Sequence, residues 1–305
     1  MIRLSSSQQK RYESLAREAY ASGYWVKSTL ADALRLAAQT SPERILLSDD
    51  QCSLTCQTAF TQASQLARAM LAKAPAGSVV SFMLPNWHES AIVYLAATLA
   101  GMVANPVLPS LREHEVAFIL RDSGSRFLFA PAEFRNFDYL TLVDQVLESL
   151  EGECERLPEA VIVRGQAGRH TSFQTLLDSP TAITELPVLN SDDIRMLMYT
   201  SGTTGRPKGV LHSHNTLHAL IRQLQEHWRI EPGDSFLVAS PVSHIGGSIY
   251  TFECPLLLGS RAVLMDSWRP DAAVKRIDGE RCTHMAGATP FLEGLLGAAR
   301  QQNTR

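Results

Sequence analysis

From Met198 to Val210 the chain reads Met-Tyr-Thr-Ser-Gly-Thr-Thr-Gly-Arg-Pro-Lys-Gly-Val. Four hydroxyl side chains, on Thr200, Ser201, Thr203 and Thr204, stand among the small residues Gly202 and Gly205, and Lys208 follows. Glycine lets a backbone approach an anion closely. Successive N–H groups in such a turn form an anion-binding concavity, to which the hydroxyls add donors and Lys208 a compact positive charge. The chemistry this predicts is phosphate binding. A P-loop is excluded, because that motif places Gly-Lys-Ser/Thr at a fixed distance from its first Gly, whereas here Lys208 is followed by Gly209. The GxGxxG spacing of a dinucleotide fold is also missing. A flexible turn between two strands would share the Thr and Gly content. Pro207-Lys208-Gly209 in front of an apolar strand sets this stretch apart.

Further groups could bear on a site. Ser240-Pro241-Val242-Ser243-His244-Ile245-Gly246-Gly247 follows an apolar run, and ligands of open α/β sheets collect where strands end. From spacing alone His244 reads as a capping or core histidine. Ala286-Gly287-Ala288-Thr289-Pro290 offers small residues that could line a narrow tunnel, or make a plain strand-to-helix turn with Pro in the first helical turn. His212, His214 and His218 invite a metal, but no carboxylate or Cys follows at ligand spacing. Cys52 and Cys56 lack a second ligand pair and read as ordinary thiols. No metal held by protein side chains is predicted.

The elements that must position these groups follow from patterning. With 305 residues, 45% hydrophobic and 19% charged, the chain suits one large or two medium domains with a sizeable core. A net charge of −3 and the lack of a Lys/Arg block give no reason to expect nucleic acid. The odd number of scattered cysteines, five, points to a reducing compartment. Residues 1–8 have no apolar core of a signal peptide, and the apolar run from Ala91 to Ala104 is too short to span a bilayer. No transmembrane segment and a cytoplasmic location are therefore expected. Residues 1–28 read as a polar helical arm. Thr29 and Asp32 have the spacing of a capping box. Apolar runs at 45–47, 79–84, 103–107, 126–130, 160–163 and 194–199 alternate with helical patterns, which predicts right-handed crossovers on a mostly parallel sheet. After the phosphate loop a helix spans 216–228. Strands at 236–239, 262–265 and 282–286 then alternate with helices at 246–257, 270–278 and from 291. The fold expected is α/β, two packed lobes with mostly parallel sheets, the second from about residue 230.

Residues 199–210, Tyr-Thr-Ser-Gly-Thr-Thr-Gly-Arg-Pro-Lys-Gly-Val, resemble the signature loop of the adenylate-forming (AMP-binding) superfamily without gap or substitution, and His214-Asn215 follow as in that family. Its members include acyl- and aryl-CoA synthetases, peptide-synthetase adenylation domains and luciferases. The resemblance implies the large N-terminal domain of such an enzyme over residues 29–305. It also implies ATP, Mg²⁺ and coenzyme A as cofactors and a small carboxylic acid, fatty or alicyclic, as substrate. Lys208 and Thr200 take the catalytic roles, with residues 200–205 and Lys208 on the ATP phosphates. Residues 240–247 resemble the family's Pro-x-x-His-x-x-Gly element, whose histidine borders the carboxylate and acyl pocket. His244, Gly246 and Gly247 are therefore expected in the substrate pocket, with Ala286 and Gly287 as the small residues that could line its tunnel. Residues 101–115 and 286–291 are most similar to bacterial short- and medium-chain fatty acyl-CoA synthetases, with cyclohexanecarboxylate-type ligases close behind. The family's Tyr-Gly-x-Thr-Glu segment, ribose-binding aspartate, hinge and C-terminal lysine domain are not in these 305 residues. An N-terminal part, impaired in turnover by itself, is expected. An inactive half-enzyme or binding protein and an amino-acid adenylation domain are the alternatives.

Overall fold

The computed structural model describes residues 6–200 and 207–302. Short apolar runs without polar alternation form parallel strands covered on both faces, and most of the predicted runs do so. Among the described residues one sheet runs, edge to edge, Lys208–Ser213, Ile194–Thr200, Val103–Pro106, Val79–Phe82, Ser125–Pro131, Glu159–Val163 and Thr171–Ser172. Every neighbouring pair is parallel except the hairpin Ile194–Thr200/Lys208–Ser213. A second sheet runs His284–Met285, Ser235–Val238, Arg261–Leu264, Ile45–Ser48 and Ser53–Thr55. The second lobe therefore does not consist only of residues after about 230. Leu47 pairs in parallel with Ala262, and Ser53–Thr55 returns antiparallel beside Ile45–Ser48.

One core joins the sheets. The helix His88–Leu99 is buried from Glu89 through Leu99, as expected for a helix apolar all round. Its cluster takes in Val80 and Phe82 from the larger sheet and Phe236, Val238 and Leu264 from the smaller. Tyr94 stacks on Phe252 at 4.2 Å, and Phe252 meets Phe82 edge-on. The expected helix over 246–257 is helical throughout but irregular: α-helix Ile245–Ser248, π-helix Ile249–Glu253, then α-helix Cys254–Leu257. The strand expected over 282–286 is confined to His284–Met285. Among the described residues no helix is long and apolar enough to cross a membrane.

The N-terminal arm is a helix, Ser6–Ala21, tied down by specific contacts. Tyr12 and Tyr20 pack on Trp25, and the Tyr20 hydroxyl donates to Asp192 Oδ1 at 3.0 Å. The Asn215 carboxamide accepts from Val26 N and donates to Tyr20 and Asp192. The Thr29/Asp32 capping box forms with both reciprocal bonds. At the first residue of that helix, Leu30 N donates to His214 Nδ1 at 3.3 Å. His214 and Asn215 thus anchor the arm to the helix His214–Trp228.

Burial, with Arg195 nearby, pushes the His214 imidazole down to about 2. Folded chains keep His214 neutral, while unfolded chains protonate it below about 6.5, so its stabilising contribution is complete above that pH and falls away as the solution is acidified. His214→Asn preserves an acceptor for Leu30 N and removes the titration. Below pH 6 the variant's stability should fall less steeply than wild type, by about one proton or about 1.4 kcal/mol per pH unit, as read from urea melts across pH 4.5–7.

Candidate active site

The strand Ile194–Thr200 is buried from Arg195 to Met198 and emerges at Tyr199 and Thr200. Tyr199 pins its end: the hydroxyl donates to Asp122 Oδ2 at 2.6 Å and the ring meets Phe118 edge-on. Burial and the Asp122 carboxylate hold that phenol well above its ordinary range, so Tyr199 stays protonated as an anchor. Thr200 and Lys208 are register partners across the hairpin, and Thr200 Oγ1 donates to the Lys208 carbonyl at 3.4 Å. Both are exposed. Ser201, Gly202, Thr203, Thr204, Gly205 and Arg206 lie outside the described residues. Next to Lys208, a Cβ on Gly209 would fall 2.7 Å from Leu197 Cδ1, so the returning strand runs close over its partner at that point.

On the smaller sheet the strand Ser235–Val238 leads into the turn that carries His244. This turn is held from the other lobe. The buried Asn86 carboxamide donates to Val238 O at 3.2 Å and Ser240 O at 2.9 Å, and accepts from Val242 N at 2.9 Å. His244 N then donates to Pro241 O, and the His244 carbonyl accepts from Gly247 N and Ser248 N. His244 Nδ1 accepts from Gly246 N at 3.2 Å, which puts the proton of the neutral ring on Nε2. The ring both caps the helix and, being exposed, offers an N–H. Gly247 is required by contact: a Cβ would lie 2.1 Å from Pro241 O. Gly246 has room by comparison, with His244 Nδ1 3.6 Å from its Cβ position.

Ala286 and Gly287 follow the adjacent strand His284–Met285. Ala286 packs on the main core. A Cβ on Gly287 would sit 3.0 Å from Phe291 Cβ, and Ala288 caps the helix Thr289–Gln301 with Pro in its first turn. This is the geometry of the strand-to-helix turn. His244 and Gly287 thus stand beyond the same carboxyl edge of the smaller sheet, and Thr200 stands at the carboxyl end of its strand in the larger one.

Between the two carboxyl edges lies a cavity of about 260 Å³, lined among others by Asn86, Pro109, Arg135, Pro241 and Phe291. None of Thr200, Lys208, His244, Ala286 and Gly287 lines it. Pro241 and Phe291 link it to the His244 turn and the Gly287 turn. The sequence reading missed Asn86 and Asp266. After Pro85, Asn86 reads as a plain turn residue. Trp87 Nε1 donates to Asp266 Oδ2 at 3.1 Å, Arg164 lies over the Trp87 ring at 4.0 Å, and the guanidinium bonds Asp49 and Glu89. Asp49, Cys52 and His88 bring potential ligand atoms within 4.8 Å of one another. The Arg164 charge on Asp49 makes this an ion network between lobes.

The profile of the AMP-binding enzyme family matches residues 34–305, and the chain belongs to that family. It is 33% identical over 284 residues to the medium-chain fatty-acid–CoA ligase of Escherichia coli K12, covering 92% of this chain and 50% of that protein. It is 26% identical over 278 residues to triostin synthetase I of Streptomyces triostinicus, covering 89% of this chain and 50% of that protein. In fold it is similar to the apo structure of Mycobacterium smegmatis MbtA, with a TM-score of 0.81 at 24% identity over 90% of this chain and 51% of that one. The o-succinylbenzoate CoA synthetase of Bacillus subtilis, solved with ATP and magnesium, gives a TM-score of 0.74 at 23% identity, with 89% and 66% covered. The chain spans about half the length of these two curated relatives.

Asn86→Ala removes the acceptor of Val242 N and the donor to Ser240 O, whereas Val238 O keeps Met265 N. At about 1–3 kcal/mol per buried group left unpaired, urea unfolding should show a loss of about 3 kcal/mol. A loss below about 1 kcal/mol would mean that the turn is held by something else.

Proposed function

We propose that this chain carries the phosphate and carboxylate sites of an enzyme that activates a fatty acid with ATP and passes it to coenzyme A. The observation that carries the reading is the exposed Thr200/Lys208 hairpin end at the carboxyl edge of one sheet, with His244 at the facing edge of the other. Family membership and the likeness to a medium-chain fatty-acid–CoA ligase support it.

A carboxylate oxygen attacks the α-phosphorus of ATP. The new P–O bond forms as pyrophosphate leaves, giving an acyl-adenylate. The sulfur of the coenzyme A thiol then attacks the acyl carbon, the thiol proton is lost, and AMP departs with the electrons of the broken C–O bond. In the first step negative charge builds on the leaving phosphates, where preorganised donors are most effective. Lys208, the Thr200 hydroxyl and the hydroxyls and N–H groups of 201–205 are assigned to those phosphates, and Mg²⁺ enters with the nucleotide. The Nε2–H of His244 is assigned to a carboxylate oxygen, and Gly246 and Gly247 let the acyl group approach the turn. Ala286 and Gly287, beyond the neighbouring strand, are assigned to the acyl group as well. A medium-chain acid is the substrate class, and five free cysteines fit a reducing, cytoplasmic setting.

Mg·ATP should bind the 305-residue chain in an isothermal titration, and Lys208→Ala should weaken it tenfold to a hundredfold, the value of a charge-assisted hydrogen bond of about 1.5–3 kcal/mol. Octanoate-dependent release of pyrophosphate by this chain alone should be slow. No Mg·ATP binding, or binding indifferent to Lys208→Ala, would refute the reading.

A further inference from the structure

Two irregularities in the fold meet at one buried ion pair. The strand that delivers Thr200 slips register between Ile194 and Met196 against its hairpin partner, and such a bulge re-aims a side chain. The side chain it re-aims is Arg195, 3% exposed. The helix that His244 caps opens into the π turn Ile249–Glu253, whose last residue, Glu253, is fully buried. Arg195 Nη2 donates to Glu253 Oε2 at 2.7 Å. Tyr94, on the central helix, closes the triangle: its hydroxyl lies 2.5 Å from Glu253 Oε1 and 2.5 Å from Arg195 Nη1.

Stability does not explain this arrangement. A buried ion pair is about as stable as well-packed apolar side chains of similar volume, and often less so. Here it also leaves Arg195 Nε without a hydrogen-bond partner among the described residues. What the network does supply is registry. Arg195 precedes Thr200 by five residues, and Glu253 follows His244 by nine. Ser248, in the first turn after His244, also reaches Met196 Sδ at 3.8 Å. A shift of the strand by a fraction of an ångström must therefore move the π turn or break charge-assisted bonds in a dry interior. π turns of this kind recur at functional sites.

We propose that Arg195, Glu253 and Tyr94 are positioning residues that lock the Thr200 strand to the His244 helix, so that filling the phosphate turn tightens the carboxylate site. This rests on the carboxylate-activating reading given above. The network touches neither ligand and acts only through the two backbone segments it joins.

The test is a linkage measurement on the chain. Octanoate is titrated with and without saturating Mg·ATP, in wild type and in the triple variant Arg195→Met/Glu253→Met/Tyr94→Phe, which leaves no charge unpaired. Wild type should bind octanoate about fivefold or more tightly with Mg·ATP present, the scale of ordinary site–site coupling. The triple variant, with a melting temperature equal to wild type or higher, should bind both ligands with a factor near one. Tyr94→Phe alone, which serves if the triple variant does not fold, should lose at least half of the factor. A folded variant that keeps the full factor overturns the proposal, and so does a wild type that binds both ligands with no coupling, which leaves the functional reading standing. A wild type that binds neither ligand overturns that reading, and the coupling falls with it.

Discussion

The arrangement of the two lobes depends on how their strand ends are fastened, and one buried carboxamide holds the turn that leads to His244. Asn86 stands just beyond the carboxyl end of Val79–Phe82 in the larger sheet, yet all three of its side-chain bonds go to residues 238–242 of the smaller. Val238 O still accepts from Met265 N of the neighbouring strand, but the ladder ends there, and the carboxamide takes over at Ser240 O and Val242 N. The consequence is positional. The turn leading to His244 is held by the lobe that also presents Thr200 and Lys208. The crevice between the carboxyl edges, where open α/β sheets bind ligands, is thereby given fixed walls.

The rest of the interface serves the same end. The helix His88–Leu99 is apolar enough to be enclosed by both sheets, so the lobes share a core and cannot slide as separate bodies would. Around its start, Arg164 from beyond Glu159–Val163 reaches Asp49 from beyond Ile45–Ser48 and Glu89 on the helix itself. Burial alone would raise the Asp49 carboxyl, but hydrogen bonds from His88 and from neighbouring backbone N–H groups hold it well below the usual carboxylate range. The charges are paired and hydrogen-bonded, which is the condition under which buried charges persist.

Much of this was legible in the residues, for reasons that can be named. Parallel strands buried on both faces are continuous apolar runs, so Val79–Phe82, Ser125–Pro131 and Ile194–Thr200 stood out, and the Thr29/Asp32 spacing announced a cap that forms. Chemistry was legible where it is local: hydroxyls, glycines and a lysine in one turn, and a His two residues before a pair of glycines. Pairings across long stretches of chain were not. Nothing near Leu47 says that it will pair with Ala262, nor near Asn86 that its partners lie at 238–242. The π turn at 249–253 was hidden because its residues have an ordinary helical pattern, and Arg195, the partner of its last residue, sits on a distant strand. His214 read as part of a family pattern, whereas its ring accepts a hydrogen bond from the N-terminal arm. The residues 201–206 that carry the strongest chemical signal lie outside the described structure, so their assignment to phosphate stays with the proposed function.

The account reduces to a claim about place: nucleotide phosphates at the end of one sheet, carboxylate at the facing end of the other. The most direct measurement is an amide-resolved NMR titration of the chain, first with Mg·ATP and then with octanoate. The account predicts that Mg·ATP shifts Thr200 and Lys208–Val210, and that octanoate then shifts His244–Gly247 and Gly287. Mg·ATP shifts confined to other surfaces, with the hairpin end unmoved, would contradict it.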